Sequence, residues 1–169
     1  MIVAPLTQVS NWVRDFEQWL PSRRVTYLTS TEELNEAIHS GRLDKSNRKN
    51  ANFPIIITSY EVAIRDKNRL NIFAQLTYLI IDEGQGFENH RCALMSSMVG
   101  ISTANRLFLP AGPINSDLQK MAMLLHFLHD SSWGEMTLSM VQSITKECDG
   151  DKKQRMATMI HASLNLFMV

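Results

Sequence analysis

The chain predicts an α/β fold, a parallel sheet flanked by helices, and three observations carry that prediction. Short apolar runs suited to strands recur at Ile2–Ala4, Val25–Leu28, residues 53–58, Leu76–Asp82 and residues 106–109. Between them lie segments whose apolar residues return at helical spacing, and strands alternating with helices argue for parallel pairing through crossovers. The runs FPIIIT and YLII are also nearly continuous in apolar residues, the pattern of a central strand buried on both faces.

Taken in order, Ile2–Ala4 reads as a buried strand, and Pro5 to Ser10 as a turn. Residues 11–20 form an amphipathic helix whose Trp12, Val13, Phe16, Trp19 and Leu20 share one face, with Pro21 as the stop. On that face Trp12 and Trp19 read as core residues. Ser30 or Thr31 caps a helix over 32–39, with Glu32 and Glu33 favourably placed in its first turn. The polar stretch 41–52 is a surface loop or short helix, and 62–73 a helix with one charged face. Residues 92–99 and 117–128 are further helices, the second strongly apolar. Beyond Trp133 the chain turns helical and methionine-rich, with a polar linker or helix turn over 146–155. Met121, Met123, Met136 and Met140 read as packing residues. The domain reading is 1–133 for the α/β part and 134–169 for a helical C-terminal segment.

Composition sets the bounds. The 169 residues, 44% of them apolar, can bury one sizeable core. Seventeen lysines and arginines balance seventeen aspartates and glutamates, so any nucleic-acid contact must come from a local patch. Cys92 and Cys148 lack metal-ligand spacing, and two cysteines make no disulfide framework, which fits a reducing intracellular compartment. No apolar stretch reaches membrane-spanning length, and Met1 to Leu6 lacks the basic start of a signal peptide. The chain opens on a strand and stops in the apolar run 164–169, which reads as truncation at both ends.

The chemistry concentrates at Leu79-Ile80-Ile81-Asp82-Glu83-Gly84. In open parallel sheets ligands bind outside the carboxyl ends of the strands, and Asp82 and Glu83 stand where this strand ends. A carboxylate there can hold Mg²⁺, directly or through water, and its neighbour can orient or deprotonate an attacking water. This is the logic of a Walker B element in a nucleotide hydrolase. The plain alternative is a solvated strand-to-loop turn.

Four ordered blocks then carry a resemblance. IVAPLTQVSNWVRDFEQWLP resembles a helicase motif Ia, and IIITSYEVAIRD the block that follows it. LTYLIIDEGQGFEN resembles motif II, and NRLFLPAGPINSDLQKMAMLLHFLHDSSW resembles motif III with its helix. HASLNLFMV is similar to the segment that closes such a lobe. Together they resemble the first RecA-like lobe of Swi/Snf-type DNA translocases of helicase superfamily two, nearest the lymphoid-specific helicase subgroup of chromatin remodelers. The resemblance implies ATP and Mg²⁺ as cofactors, double-stranded DNA or a nucleosome as partner, and a nuclear location. It implies that Asp82 coordinates the Mg²⁺ of ATP, that Glu83 positions the hydrolytic water, and that Gln85 stands beside them in place of the usual histidine. Pro5, Leu6, Thr58 and Ser59 fall where such lobes touch the DNA backbone. Strand-end hydroxyls and free N–H groups suit phosphate oxygens, and the same Thr58 and Ser59 also suit a helix N-cap.

The departures carry as much information. GxxxxGK followed by Ser or Thr, the phosphate loop, does not occur, and motif Ia stands at the very start, so the sheet is read as truncated at the P-loop strand. The second RecA-like lobe with its arginine finger is absent too. Gly86 and Glu88 replace basic residues of motif II, and Pro110-Ala111-Gly112 replaces the Thr-Gly-Thr of motif III. The expectation is a fragment or degenerate copy of an ATPase lobe, inactive alone, with a sheet edge left open and marginal solubility. A non-catalytic DNA- or protein-interaction module that kept the fold is the alternative.

Overall fold

The computed structural model describes residues 1–44, 46, 53–73, 76–83, 91–112, 118–128, 136, 137, 139–143 and 150–164. Its chain gathers into two compact units, Met1–Ala111 and Gly112–Val169.

The first unit is built on five strands: β1 (Ile2–Ala4), β2 (Val25–Leu28), β3 (Ile55–Ser59), β4 (Leu76–Asp82) and β5 (Thr103–Leu109). Every pairing is parallel, in the order β2-β3-β1-β4-β5. The α/β reading therefore holds, with β1 at the centre. β1 leads to strands on one side and β4 to β5 on the other, so the strand order reverses between β1 and β4.

Helix α1 (Leu6–Trp19) covers one face. It starts directly after Pro5, earlier than the apolar period implies, because nothing in residues 6–10 breaks a helix and a proline there gives up only an N–H that has no partner. Val9, Trp12, Val13 and Phe16 pack against Ile2, Ile57 and Ile80, with the Trp12 and Phe16 rings stacked 6.0 Å apart. Trp19 departs from expectation and is 75% exposed. The fourteen residues of α1 rise about 21 Å while the five of β3 span about 17 Å, so the last turn overhangs the sheet.

On the opposite face α2 (Thr31–His39), α3 (Tyr60–Arg65) and α4 (Lys67–Leu70) enclose Leu28, Leu34, Ala37, Ile56, Val62 and Leu70. Ser30 is the N-cap of α2, its hydroxyl accepting the Glu33 N–H at 3.2 Å. The Glu33 carboxylate in turn accepts the Thr29 N–H at 2.6 Å, a variation on the capping box. The single helix expected over 62–73 is interrupted at Asp66 and ends in a 3₁₀ turn, Asn71–Phe73. The buried Asp66 carboxylate accepts from Thr31 at 2.7 Å and pairs with Arg69, tying the break to the start of α2. The break lies in the backbone of Asp66 itself, whose φ of −103° and ψ of 20° leave the helical range.

Helix α5 (Arg91–Val99) packs on α3 and buries Leu94, Met95 and Met98. β4 is not covered on both faces as its apolar run implied. Leu79 and Ile81 are buried, but Tyr78 is 52% exposed and Leu107 of β5, beside Ile80 in register, is 42% exposed. Strand side chains alternate between faces, and α1 reaches only as far as Ile80. The run 106–109, expected as a core strand, thus lies in an edge strand among the described residues.

In the second unit α6 (Leu118–Leu128) packs against α7 (Gly150–Leu164), burying Met121, Met123, Leu125, Phe127, Met156, Ile160 and Leu164. Met121 and Met123 pack as expected, whereas Met136 and Met140 are exposed. From Gly150 on, the polar stretch expected as linker or turn is the start of α7, with Asp151 suitably placed for the helix dipole. The apolar end, 165–169, lies outside the described residues. Among those described, no helix is long and apolar enough to cross a membrane.

Candidate functional site

The parallel strands bring their carboxyl ends to one edge. Register pairs Ala4 with Ser59, Val3 with Ile81, and Asp82 with Leu109. The segments that follow these strands, at Pro5, Tyr60, Glu83 and Pro110, therefore stand side by side. Asp82 and Glu83 end β4 next to β1, at the reversal in strand order where ligands of open α/β sheets bind.

Both carboxylates are half-buried and held. The Trp12 indole N–H, from the second turn of α1, donates to Asp82 Oδ2 at 2.8 Å. The Tyr60 hydroxyl, at the start of α3, donates to the Asp82 carbonyl oxygen. The Glu83 N–H donates to the Leu109 carbonyl at 2.8 Å, continuing the sheet ladder one residue past β4. Glu83 Oε2 accepts the Ala111 N–H at 3.1 Å. Two helix starts and the β5 exit thus converge on the acidic pair. Sequence reasoning missed Trp12, Tyr60 and Ala111. Trp12 stands at an apolar helical position that hides its donor, and the contact spans 70 residues.

The remaining site residues divide. Pro5 and Leu6 stand at the same edge, with Leu6 at 55% exposure on the first turn of α1. Thr58 is fully buried, its hydroxyl donating to the Leu28 carbonyl at 3.0 Å. Ser59 is buried and is the N-cap of α3, accepting the Val62 N–H at 3.4 Å. Gln85 lies outside the described residues, as do Gly86 and Glu88.

Among the described residues no three His, Cys, Asp or Glu side chains converge as a metal-binding set. A neighbouring pair of carboxylates with no nitrogen or sulfur donor suits a hard cation that keeps most of its water. Mg²⁺ is such an ion, commonly held by one or two carboxylates plus substrate phosphates. The donor chemistry of Asp82 and Glu83 fits it.

A parallel sheet with an acidic pair at its switch point has the layout of a RecA-like nucleotide-handling lobe. The chain belongs to the SNF2-related domain family, which it matches over residues 1–169. It is 27% identical to the ATP-dependent DNA helicase DDM1 of Arabidopsis thaliana, a match covering all of this chain and 23% of that protein. It is 25% identical to the lymphoid-specific helicase of Homo sapiens, again over the whole chain but 21% of the relative. In three dimensions it is similar to the Sulfolobus solfataricus SWI2/SNF2 ATPase core in complex with dsDNA. There the TM-score is 0.65 at 20% identity, over 95% of this chain and 32% of the other. The fold is that of the first RecA-like lobe expected from the motifs, and the chain spans less than a quarter of either protein relative.

Proposed function

We propose that this chain is part of the first ATPase lobe of an ATP-dependent chromatin remodeler, a nuclear DNA translocase. In this reading residues 1–133 are the α/β portion and 134–169 a helical segment of the same lobe. One observation carries the proposal: the adjacent Asp82 and Glu83 stand at the switch point, each with a carboxylate oxygen held by a donor from another element. A Mg²⁺ bound with ATP here would supply positive charge to offset negative charge developing on the phosphoryl oxygens. Asp82 is the residue to hold that ion. Glu83, one residue further on, orients water or accepts its proton. Duplex DNA is the partner, met at Pro5 and Leu6 and at the Thr58–Ser59 edge. Because the Thr58 hydroxyl donates internally and Ser59 is buried, backbone N–H groups at the starts of α1 and α3 are the groups left for phosphate oxygens there.

These 169 residues hold no phosphate-loop motif, and the hydroxyls usual in motif III are replaced by Pro110-Ala111-Gly112. Hydrolysis therefore requires groups from outside the chain, and the chain by itself is inactive. The test is a chimera in which residues 1–169 replace the matching segment of a DNA-stimulated relative. Turnover that falls about a hundredfold or more on Glu83→Gln supports the assignment. A chimera that is inactive with Glu83 intact, while the isolated chain still binds duplex DNA, favours a non-catalytic module that kept the fold.

A further inference from the structure

The contact between Trp12 and Asp82 is more specific than packing requires. Trp12 contributes its ring to the cluster with Phe16, Ile2 and Ile57, an apolar contact that a phenylalanine would keep in large part. What a phenylalanine lacks is the indole N–H, and that N–H reaches Asp82 Oδ2 at 2.8 Å. An indole is a donor only, carries no charge and cannot itself ligate a cation. A lysine or arginine in its place would also hold the carboxylate, but would cancel its charge and repel a metal. The indole fixes the carboxylate rotamer and leaves the negative charge intact. Oδ2 is engaged, and Oδ1 makes no hydrogen bond among the described residues. The Tyr60 hydroxyl meanwhile anchors the Asp82 carbonyl, so backbone and side chain of this residue are both held.

We propose that Trp12 is a positioning residue for Asp82, an uncharged donor from α1 that orients the carboxylate toward a divalent cation at the β1–β4 switch point. This rests on the reading of Asp82 as a metal-binding residue given above. Hydrogen-bonded partners of ligating groups typically change metal affinity 10- to 100-fold, roughly, when removed.

The test uses the 169-residue chain with Mn²⁺ alone as paramagnetic probe, read by the indole N–H resonances and by electron paramagnetic resonance of free Mn²⁺. Trp19, on the exposed end of α1, serves as internal control. Mn²⁺ should broaden the Trp12 indole resonance selectively, and Asp82→Asn should abolish that broadening. Trp12→Phe should weaken Mn²⁺ affinity by about tenfold while the thermal melt stays cooperative. A Trp12→Phe chain that binds Mn²⁺ as the parent does overturns the positioning role and leaves the metal assignment standing. A parent chain in which Mn²⁺ leaves the Trp12 resonance untouched overturns the metal assignment, and the positioning role with it. Should Trp12→Phe fail to fold, Asp82→Asn still decides. A Trp12 indole resonance that does not move when the carboxylate becomes an amide overturns the proposal, and a shift confined to Trp12 supports it.

Discussion

At Ser30 a single hydroxyl decides where α2 begins. It accepts the Glu33 N–H, and the Glu33 carboxylate returns to Thr29, so donors that the first turn leaves over find partners. Ser30→Ala should therefore cost about 1 kcal/mol in urea unfolding, and Ser30→Asp much less. The Met1 amine supplies a second prediction at this scale. It donates to the Tyr78 carbonyl at 2.8 Å, and burial lowers its pKa from 8.0 to about 6. Between those two values the unfolded chain carries a proton that the folded chain has shed. Stability should then rise with pH from 6 to 8, by up to roughly 1.4 kcal/mol per unit, and level off above that. Thermal melts across this range check the slope, and N-terminal acetylation should remove it. Serine three residues before glutamate announces the cap in the sequence. The amine's burial does not, because it comes from β1 lying between β3 and β4.

At the level of elements, the five strands were readable because short apolar runs bounded by Pro, Gly and polar residues alternate with segments at helical spacing. Their environments were not. Tyr78 belongs to an unbroken apolar run, yet only a helix lying above it could bury it, and α1 covers β1 and β3 and reaches only as far as Ile80. Tyr78 and Leu107 stay exposed on a shared face beside the β5 edge. Exposed apolar edge strands invite pairing with other chains. Leu107→Lys should accordingly lower the concentration-dependent association of the chain in sedimentation, and shift its melting temperature little. The helix over 62–73 was misread for a related reason. Its apolar spacing runs on past Asp66, where the backbone leaves helical geometry and the carboxylate is tied to Thr31, 35 residues away.

For the whole molecule, the SNF2-related membership and the RecA-like lobe define what these residues can and cannot do together. The 169-residue chain with Mg·ATP and duplex DNA should release phosphate no faster than the Asp82→Asn variant. A colorimetric phosphate assay on both decides it, and turnover that depends on Glu83 would falsify the expectation of inactivity. DNA binding, if carried by uncharged backbone donors at helix starts, should be nearly indifferent to base sequence and weaken only modestly with rising salt, because few phosphates are then neutralised by cationic side chains. Competition between duplexes of unrelated sequence at two salt concentrations measures both.

Local chemistry was enough to identify β4 with its acidic end, the alternation of strands and helices, and the ordered motifs that mark the family. Those features depend on neighbours along the chain: apolar runs, caps, and carboxylates adjacent in sequence. Strand order, the exposure of Trp19, Tyr78 and Leu107, and the hold that Trp12, Tyr60 and Ala111 keep on Asp82 and Glu83 depend on neighbours in space. Crossovers place residues 70 apart within hydrogen-bonding distance, and no periodicity of one segment encodes where another will cross it.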